Sequence, residues 1–297
     1  MRVFVTGASG WVGSAVVPEL IHGGHQVLGL ARSEDSAQAL TAHGAEVHRG
    51  DLEDLDGLRR GAENADGVIH LAFRHDFENF SAAGELDRRA IETLGRALAG
   101  SDRPLVVASG TAGHAPGRLL TEDLPAGEGT PRVSEQATLA FADKGVRASV
   151  VRLAPTVHGA GDHGFVARLV AIARDKGVSA YPGDGANRWP AVHRDDAAVL
   201  FRSAVESAPA GTVLHAIAEE GIPTRDIAEA IGRGLSLPTR SVPADTIYDH
   251  FGWLGAFFGQ DLPASSALTR DRFGWQPTRP GLLDDLAQGH YLAAQPV

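Results

Sequence analysis

The sequence predicts an α/β fold: a doubly wound parallel sheet in the N-terminal half, followed by a smaller C-terminal lobe. Three observations predict it. Short runs such as Val-Ile-His-Leu-Ala (68–72) and Leu-Val-Val-Ala-Ser (105–109) are nearly all apolar, as strands covered by helices on both faces must be. Helix-like stretches alternate with these runs, which is the spacing of parallel β-α-β units. A glycine-rich turn follows the first run directly.

Strands are expected at 2–6, 26–31, 45–48, 67–73, 104–109 and 148–157, with helices between them at 13–22, 35–43, 54–64, 79–99 and 133–144. Beyond residue 160 the pattern is less regular. Helices are expected at 165–176, 195–206 and 224–232, a loop at 181–185, a further loop containing 187–190 that ends at His193, and a strand at 212–218 returning to the sheet edge. Residues 251–258 are unusually aromatic. On this division residues 1–157, completed by about 191–218, form a nucleotide-binding domain, and 158–190 with 219–297 form a substrate-binding lobe.

The turn reads Thr6-Gly7-Ala8-Ser9-Gly10-Trp11-Val12-Gly13. Gly7 permits a tight turn, Gly10 lets the backbone approach a pyrophosphate, and Gly13 lets helix and strand pack closely. The helix start offers N–H groups and a positive dipole end to phosphates. Ser9, Trp11 and Val12 complete the cradle. This is the fingerprint of a Rossmann site for a pyridine dinucleotide. NAD sites carry Asp or Glu at the end of the second strand; here that place reads Leu30-Ala31-Arg32-Ser33. A guanidinium suits a 2′-phosphate, so NADP(H) is preferred, while Glu34-Asp35 keeps NAD(H) open. Asp51, before Leu52, can accept from the adenine amino group or cap the helix that follows. Leu71, Ala72 and Phe73 end the fourth strand, beside the expected cofactor crevice.

Composition removes other classes. There are 27 Lys+Arg against 37 Asp+Glu, a net charge of −10, so no basic face for nucleic acid is expected. With no cysteine, disulfides, thiolate metal sites and a cysteine nucleophile are excluded. No apolar run reaches the ~18 residues that span a bilayer, and no signal peptide is read at the start. The expected location is cytoplasmic, with no membrane partner. No two histidines stand at i, i+4 with a carboxylate partner in a zinc motif, so no metal is expected. Gly-x-Ser-x-Gly is also missing, and Ala8-Ser9-Gly10 belongs to the dinucleotide turn.

Together these residues resemble the extended short-chain dehydrogenase/reductases, the NAD-dependent epimerase/dehydratase family. The resemblance covers residues 6–13, Asp51-Leu52, 68–72 and 106–110. It continues in Val151-Arg-Leu-Ala-Pro155-Thr-Val-His158-Gly159, like the family's nicotinamide-side stretch, and in Ala191-Val-His-Arg-Asp-Asp-Ala197. It implies seven strands, a capping lobe over a substrate cleft, a small-molecule substrate, and Pro155 beside the nicotinamide. Members often dimerise through helices that fall here at 79–99 and 133–144, so a homodimer is expected. The family's catalytic Tyr, with Lys four residues on, has no counterpart. After Tyr181, Tyr248 and Tyr291 that place holds Gly185, Gly252 and Gln295. Registering on Glu135 puts Gly127 and Pro131 where Tyr and Lys belong.

The chemistry must then come from other groups. Ser109 matches the family's strand-five serine, and Thr111 follows it; both can hydrogen-bond a carbonyl, or bond local backbone. Histidine is the natural acid/base substitute: His158 is the catalytic candidate, with His114 and His193 expected near the substrate. Arg188 can grip an anion and Trp189 can offer a flat wall. Three functions stay open. The first is an NADP(H)-dependent oxidoreductase on a small carbonyl or hydroxyl compound. The second is a non-redox epimerase or dehydratase that retains its cofactor. The third is a non-catalytic NADP-binding sensor.

Overall fold

Val3, Phe4 and Val5 of β1 (Arg2–Thr6) are wholly buried, which places this strand inside a sheet and not at its edge. In a computed structural model, which describes residues 1–76, 79–112, 114–125 and 133–292, the chain divides into two units.

Unit 1 comprises Met1–Ser109, Pro125–Arg152 and Ala197–Leu214. Its strands β1, β2 (Gln26–Ala31), β3 (Glu46–Arg49), β4 (Gly67–His70), β5 (Pro104–Gly110), β6 (Arg147–Leu153) and, after three strands in the other unit, β10 (Thr212–Ala216) form one sheet. The order is β10-β6-β5-β4-β1-β2-β3, with parallel pairing from β5 through to β3. The helices are α1 (Gly13–His22), α2 (Glu34–Ala42), α3 (Leu55–Glu63), α4 (Phe80–Leu98) and α5 (Ser134–Leu139), with α7 (Arg194–Ser207) entering from the other unit. Leu58 and Ala62 of α3 and Ala90, Ile91, Leu94 and Leu98 of α4 pack on Phe4, Leu28, Val68, Leu105 and Val107. Each such large side chain contributes about 1.5–3 kcal/mol. The expected doubly wound α/β sheet of seven strands is what forms.

Unit 2 comprises Gly110–Leu124, Leu153–Asp196 and His215–Val297. In it β9 (Arg188–His193) lies between β7 (Thr156–His158), its parallel neighbour, and β11 (Glu219–Pro223), its antiparallel one. A parallel pair joins β8 (Ser179–Pro182) to β12 (Thr239–Val242). Around them stand α6 (Phe165–Lys176), α8 (Thr224–Leu235), α9 (Ile247–Phe251), α10 (Gly255–Phe258), α11 (Ala267–Phe273) and α12 (Leu282–Ala287). Their core gathers Leu169, Trp189, Ile227, Phe251, Phe258 and Leu286.

Four boundaries differ from expectation. The strand expected at 148–157 is two strands, β6 and β7, parted at Ala154-Pro155, because proline has no N–H for a ladder. The helix expected at 133–144 shrinks to α5 plus a 3₁₀ turn at Ala142–Lys144, where the buried Phe141 ring fills the space beside Gly95 of α4. The fourth strand stops at His70, so Leu71, Ala72 and Phe73 have left the sheet. Residues 187–190, read as loop, lie mostly in β9. Glu219 pairs with Ala191 and Ile222 with Trp189, so two residues of β11 bulge opposite Pro190.

Candidate functional site

The glycine turn has the geometry its spacing demands. Gly7 sits at φ 64°, and a Cβ there would lie 2.7 Å from the Ala72 nitrogen. At Gly13 a Cβ would come within 2.1 Å of the Gly7 carbonyl oxygen. Neither position accepts a side chain. At Gly10 a Cβ would meet only the Gly7 oxygen, at 3.1 Å, so glycine there keeps the outer surface of the turn bare. The Gly10 N–H closes the turn onto Gly7 O at 2.9 Å, and the N–H groups of Val12 and Gly13 have no acceptor among the described residues. Leu71 N–H donates to Thr6 O at 3.2 Å, which brings the end of β4 against the turn. A bare bend with open N–H groups at the start of α1 fits a diphosphate.

At the end of β2, Arg32 is exposed, and its guanidinium has neither an ion pair nor a hydrogen bond among the described residues. Ser33 caps α2 by accepting from Ser36 N–H at 3.2 Å. Glu34, the acid that could have faced a ribose, is paired with Arg49 from the end of β3. Arg49 also donates to Ser33 O at 3.0 Å. Asp51 Oδ1 accepts from Glu53 and Asp54 N–H at 2.8 and 3.1 Å, while Asp54 is the cap of α3.

Beneath the turn runs a buried polar chain that the sequence reading missed. Thr6 Oγ1 is 2.8 Å from His70 Nδ1, and His70 Nε2 is 3.0 Å from Asp87 Oδ1 on α4. Asp87 Oδ2 accepts from Ser134 Oγ of α5. Next to Ser134, Glu135 holds the wholly buried Arg152 of β6 by two hydrogen bonds of 2.6 and 2.7 Å. These contacts fasten α4 and α5 to the sheet and to the residues leading into the glycine turn. The places registered for the family's Tyr and Lys, Gly127 and Pro131, lie outside the described residues.

In unit 2 several expected contact residues are engaged internally. His158 is 0% exposed, with Nδ1 2.8 Å from Asp285 Oδ2 and Nε2 without a partner. Burial on that scale separates its ring from any small molecule in solvent. Arg188 grips Asp261 with both ends of its fork, at 3.0 and 2.8 Å, so its anion site is filled by its own chain. That pair raises the arginine's pKa and lowers the aspartate's. Trp189 is 1% exposed, stacked on Phe165 and tilted against Phe258, and so is core and not a wall for substrate. Thr111 donates its N–H and its hydroxyl to Leu153 O, at 3.0 and 3.4 Å. His114 donates its backbone N–H to Thr111 O at 3.4 Å, and Pro155 is half-buried. In unit 1, Ser109 is buried at the end of β5.

His193 is mostly buried, with 13% of its side chain exposed. Its Nδ1 accepts from Asp195 N–H at 3.1 Å, at the start of α7, which leaves the proton of a neutral ring on Nε2. Burial holds this imidazole below the usual histidine range. His158 meets it edge-on, at 5.3 Å between ring centroids. Nearby, Tyr291 donates to Asp162 Oδ2 at 2.7 Å and accepts from Gly159 N–H at 3.2 Å. Burial pushes both of these acids up. Partners such as Asp285 and Tyr291, more than 120 residues from the groups they bind, leave no local signal. Among the described residues no three His, Cys, Asp or Glu side chains are grouped to hold a metal, and no helix is long and apolar enough to cross a membrane.

Comparison with known proteins agrees with this geometry. The family described as "NAD dependent epimerase/dehydratase family" matches residues 3–216. The protein C2A9.02 of Schizosaccharomyces pombe is 50% identical over 294 residues, covering 98% of this chain and all of that one. The 2'-dehydrokanamycin reductase of Streptomyces kanamyceticus is 33% identical over 261 residues, covering 82% of this chain and 70% of the relative. Among solved structures, the dTDP-glucose 4,6-dehydratase DesIV of Streptomyces venezuelae, with NAD and TYD bound, superposes with TM-score 0.77. It is 21% identical and covers 98% of this chain and 96% of that one, a likeness of fold. The chain belongs to the NAD-dependent epimerase/dehydratase family.

Proposed function

We propose that the chain is an NADP(H)-dependent oxidoreductase that acts on a small carbonyl or hydroxyl compound without a Tyr–Lys pair. The observation that carries this reading is the end of β2: Arg32 has no partner among the described residues, while Glu34 is occupied by Arg49. A 2′-phosphate would find an open guanidinium there, and a ribose diol would find no free glutamate. The reductase relative supports the direction of the chemistry. Gly7, Ser9, Gly10, Trp11, Val12 and Gly13 would hold the diphosphate, Arg32 the ribose phosphate, Asp51 and Leu52 the adenine side, and Leu71, Ala72 and Phe73 the crevice. When bound, the nicotinamide supplies or takes the hydride.

Ser109 is the hydroxyl assigned to the substrate oxygen. The proton-transfer role first given to His158 passes to His193. Its neutral Nε2–H can donate, whereas His158 is sealed behind Asp285 and acts as a positioning residue. Thr111, spent on Leu153 O, is given no step.

NADPH oxidation should be followed against a panel of aldehydes, ketones and keto sugars. The expected result is loss of one NADPH for each alcohol formed. Failure of every carbonyl to consume a bound NADPH would overturn the reductase reading.

A further inference from the structure

We infer that Arg49 is the second arm of a two-guanidinium site for the 2′-phosphate, with Glu34 as the resident counter-ion that the phosphate displaces. The inference rests on the NADP(H) reading above and adds to it a residue from a different strand.

Arg49 stands opposite Ala31 in the β2–β3 register, so the two arginines leave adjacent strand ends. Neighbouring strands lie about 4.7–4.9 Å apart, within easy reach of one phosphate for side chains of this length. Their present states differ. Arg32 has no partner among the described residues, while Arg49 reaches the turn that Arg32 begins, donating to Ser33 O and pairing with Glu34. That pair is exposed, 53% for the arginine and 67% for the glutamate, and it lines an open groove with Ala37, Gln38, Thr41 and Val47. Exposed ion pairs of this kind hold their partners weakly. A phosphate dianion offers more charge and more acceptor oxygens than one carboxylate, so it outcompetes Glu34 for the same fork. The backbone bond to Ser33 O keeps the arginine head at the turn during the exchange.

Glu34 then acts in two ways. Without the phosphate it neutralises Arg49, and against the phosphate it is a like charge close by. NADH lacks the group that would break the pair, so it gains nothing from Arg49.

The test is calorimetric titration of the full-length protein and three variants with NADPH, NADH, 2′,5′-ADP and 5′-AMP. Arg49→Ala should weaken NADPH and 2′,5′-ADP by about 10- to 100-fold, the span of a charge-assisted hydrogen bond, and leave NADH and 5′-AMP within about twofold. Glu34→Gln should tighten the two ligands that carry a 2′-phosphate by about 3- to 10-fold and leave the others unchanged. Arg32→Ala serves as the reference for the cofactor reading. If Arg32→Ala lowers NADPH affinity while Arg49→Ala leaves the NADPH:NADH ratio as it was, Arg49 is no part of the site and the NADP(H) reading survives. If the unaltered protein binds NADH as tightly as NADPH, the cofactor reading falls and this inference falls with it.

Discussion

The polar groups along one end of unit 1 and those around β7 and β9 of unit 2 are disposed differently. At the glycine turn and the end of β2 in unit 1, the N–H groups of Val12 and Gly13 and the guanidinium of Arg32 have no partner among the described residues. In unit 2, around β7, β9 and the C-terminal residues, polar groups find one another: Arg188 with Asp261, His158 with Asp285, Tyr291 with Asp162. Burial does not make this distinction, since Asp261 and Arg188 are partly exposed and their pair is closed all the same. Open donors without acceptors are a binding surface, whereas closed pairs are scaffold, even where the residue types look catalytic. His193 differs from these in that its Nδ1 accepts a backbone N–H, that of Asp195, and not a side chain.

If that contrast is right, damage to closed pairs should register as lost stability and not as lost nucleotide affinity. The largest effect is expected for Glu135→Ala, which removes the carboxylate from the buried Arg152. Breaking a pair of that kind costs about 3–5 kcal/mol. Urea unfolding of the variant measures it. Tyr291→Phe should cost about 1–3 kcal/mol, because the Asp162 carboxylate and the Gly159 N–H lose their shared partner. Its NADPH affinity should match the unaltered protein. A drop in affinity would place the Tyr291 cluster within the binding machinery.

A smaller effect should appear as a slope with pH. Burial lowers the pKa values of His193 and His250 in the folded protein. Below the ordinary histidine value of ~6.5 the unfolded chain takes up protons that the folded one refuses, so stability falls as pH drops through that value toward the lowered ones. Above it the contribution is complete. Melting temperatures between pH 5 and 8 should show this tilt, and His250→Asn should flatten it. A melting temperature that rises as pH falls through this range would contradict it. The smallest effect is expected at Arg188→Ala: the pair is exposed, worth ~0–1 kcal/mol, and substrate KM should not move. A rise in KM would return Arg188 to the substrate.

The same contrast explains what could be read in advance. Gly7, Gly10 and Gly13 encode a backbone conformation, and a backbone conformation is local, so their spacing carried its meaning without any partner. The apolar runs behaved likewise, and the sheet followed from them. Arg188 and His158 owe their roles to Asp261 and Asp285, residues 73 and 127 positions away, and nothing nearby announces such a partner. Trp189 was misread for a related reason. A bulge opposite Pro190 turned an expected loop into β9, the middle strand of a small sheet, which buried the indole. Asp87 and Ser134 were overlooked because each lies in a helix whose own pattern gives no hint of a polar chain through His70.

Everything proposed for this chain requires that the bend at residues 7–13 holds a pyridine dinucleotide, and Gly10→Val isolates that requirement. Among the described residues its Cβ would meet only the Gly7 carbonyl, with the oxygen at 3.1 Å, a contact relieved by a shift of a few tenths of an ångström, so the fold should tolerate what a bound diphosphate would not. Calorimetric titration with NADP⁺ should give saturable binding to the unaltered protein, weakened at least about tenfold in the variant with the melting temperature nearly unchanged. Equal affinity in the two proteins, or no binding by either, would show that the bend is not a nucleotide site.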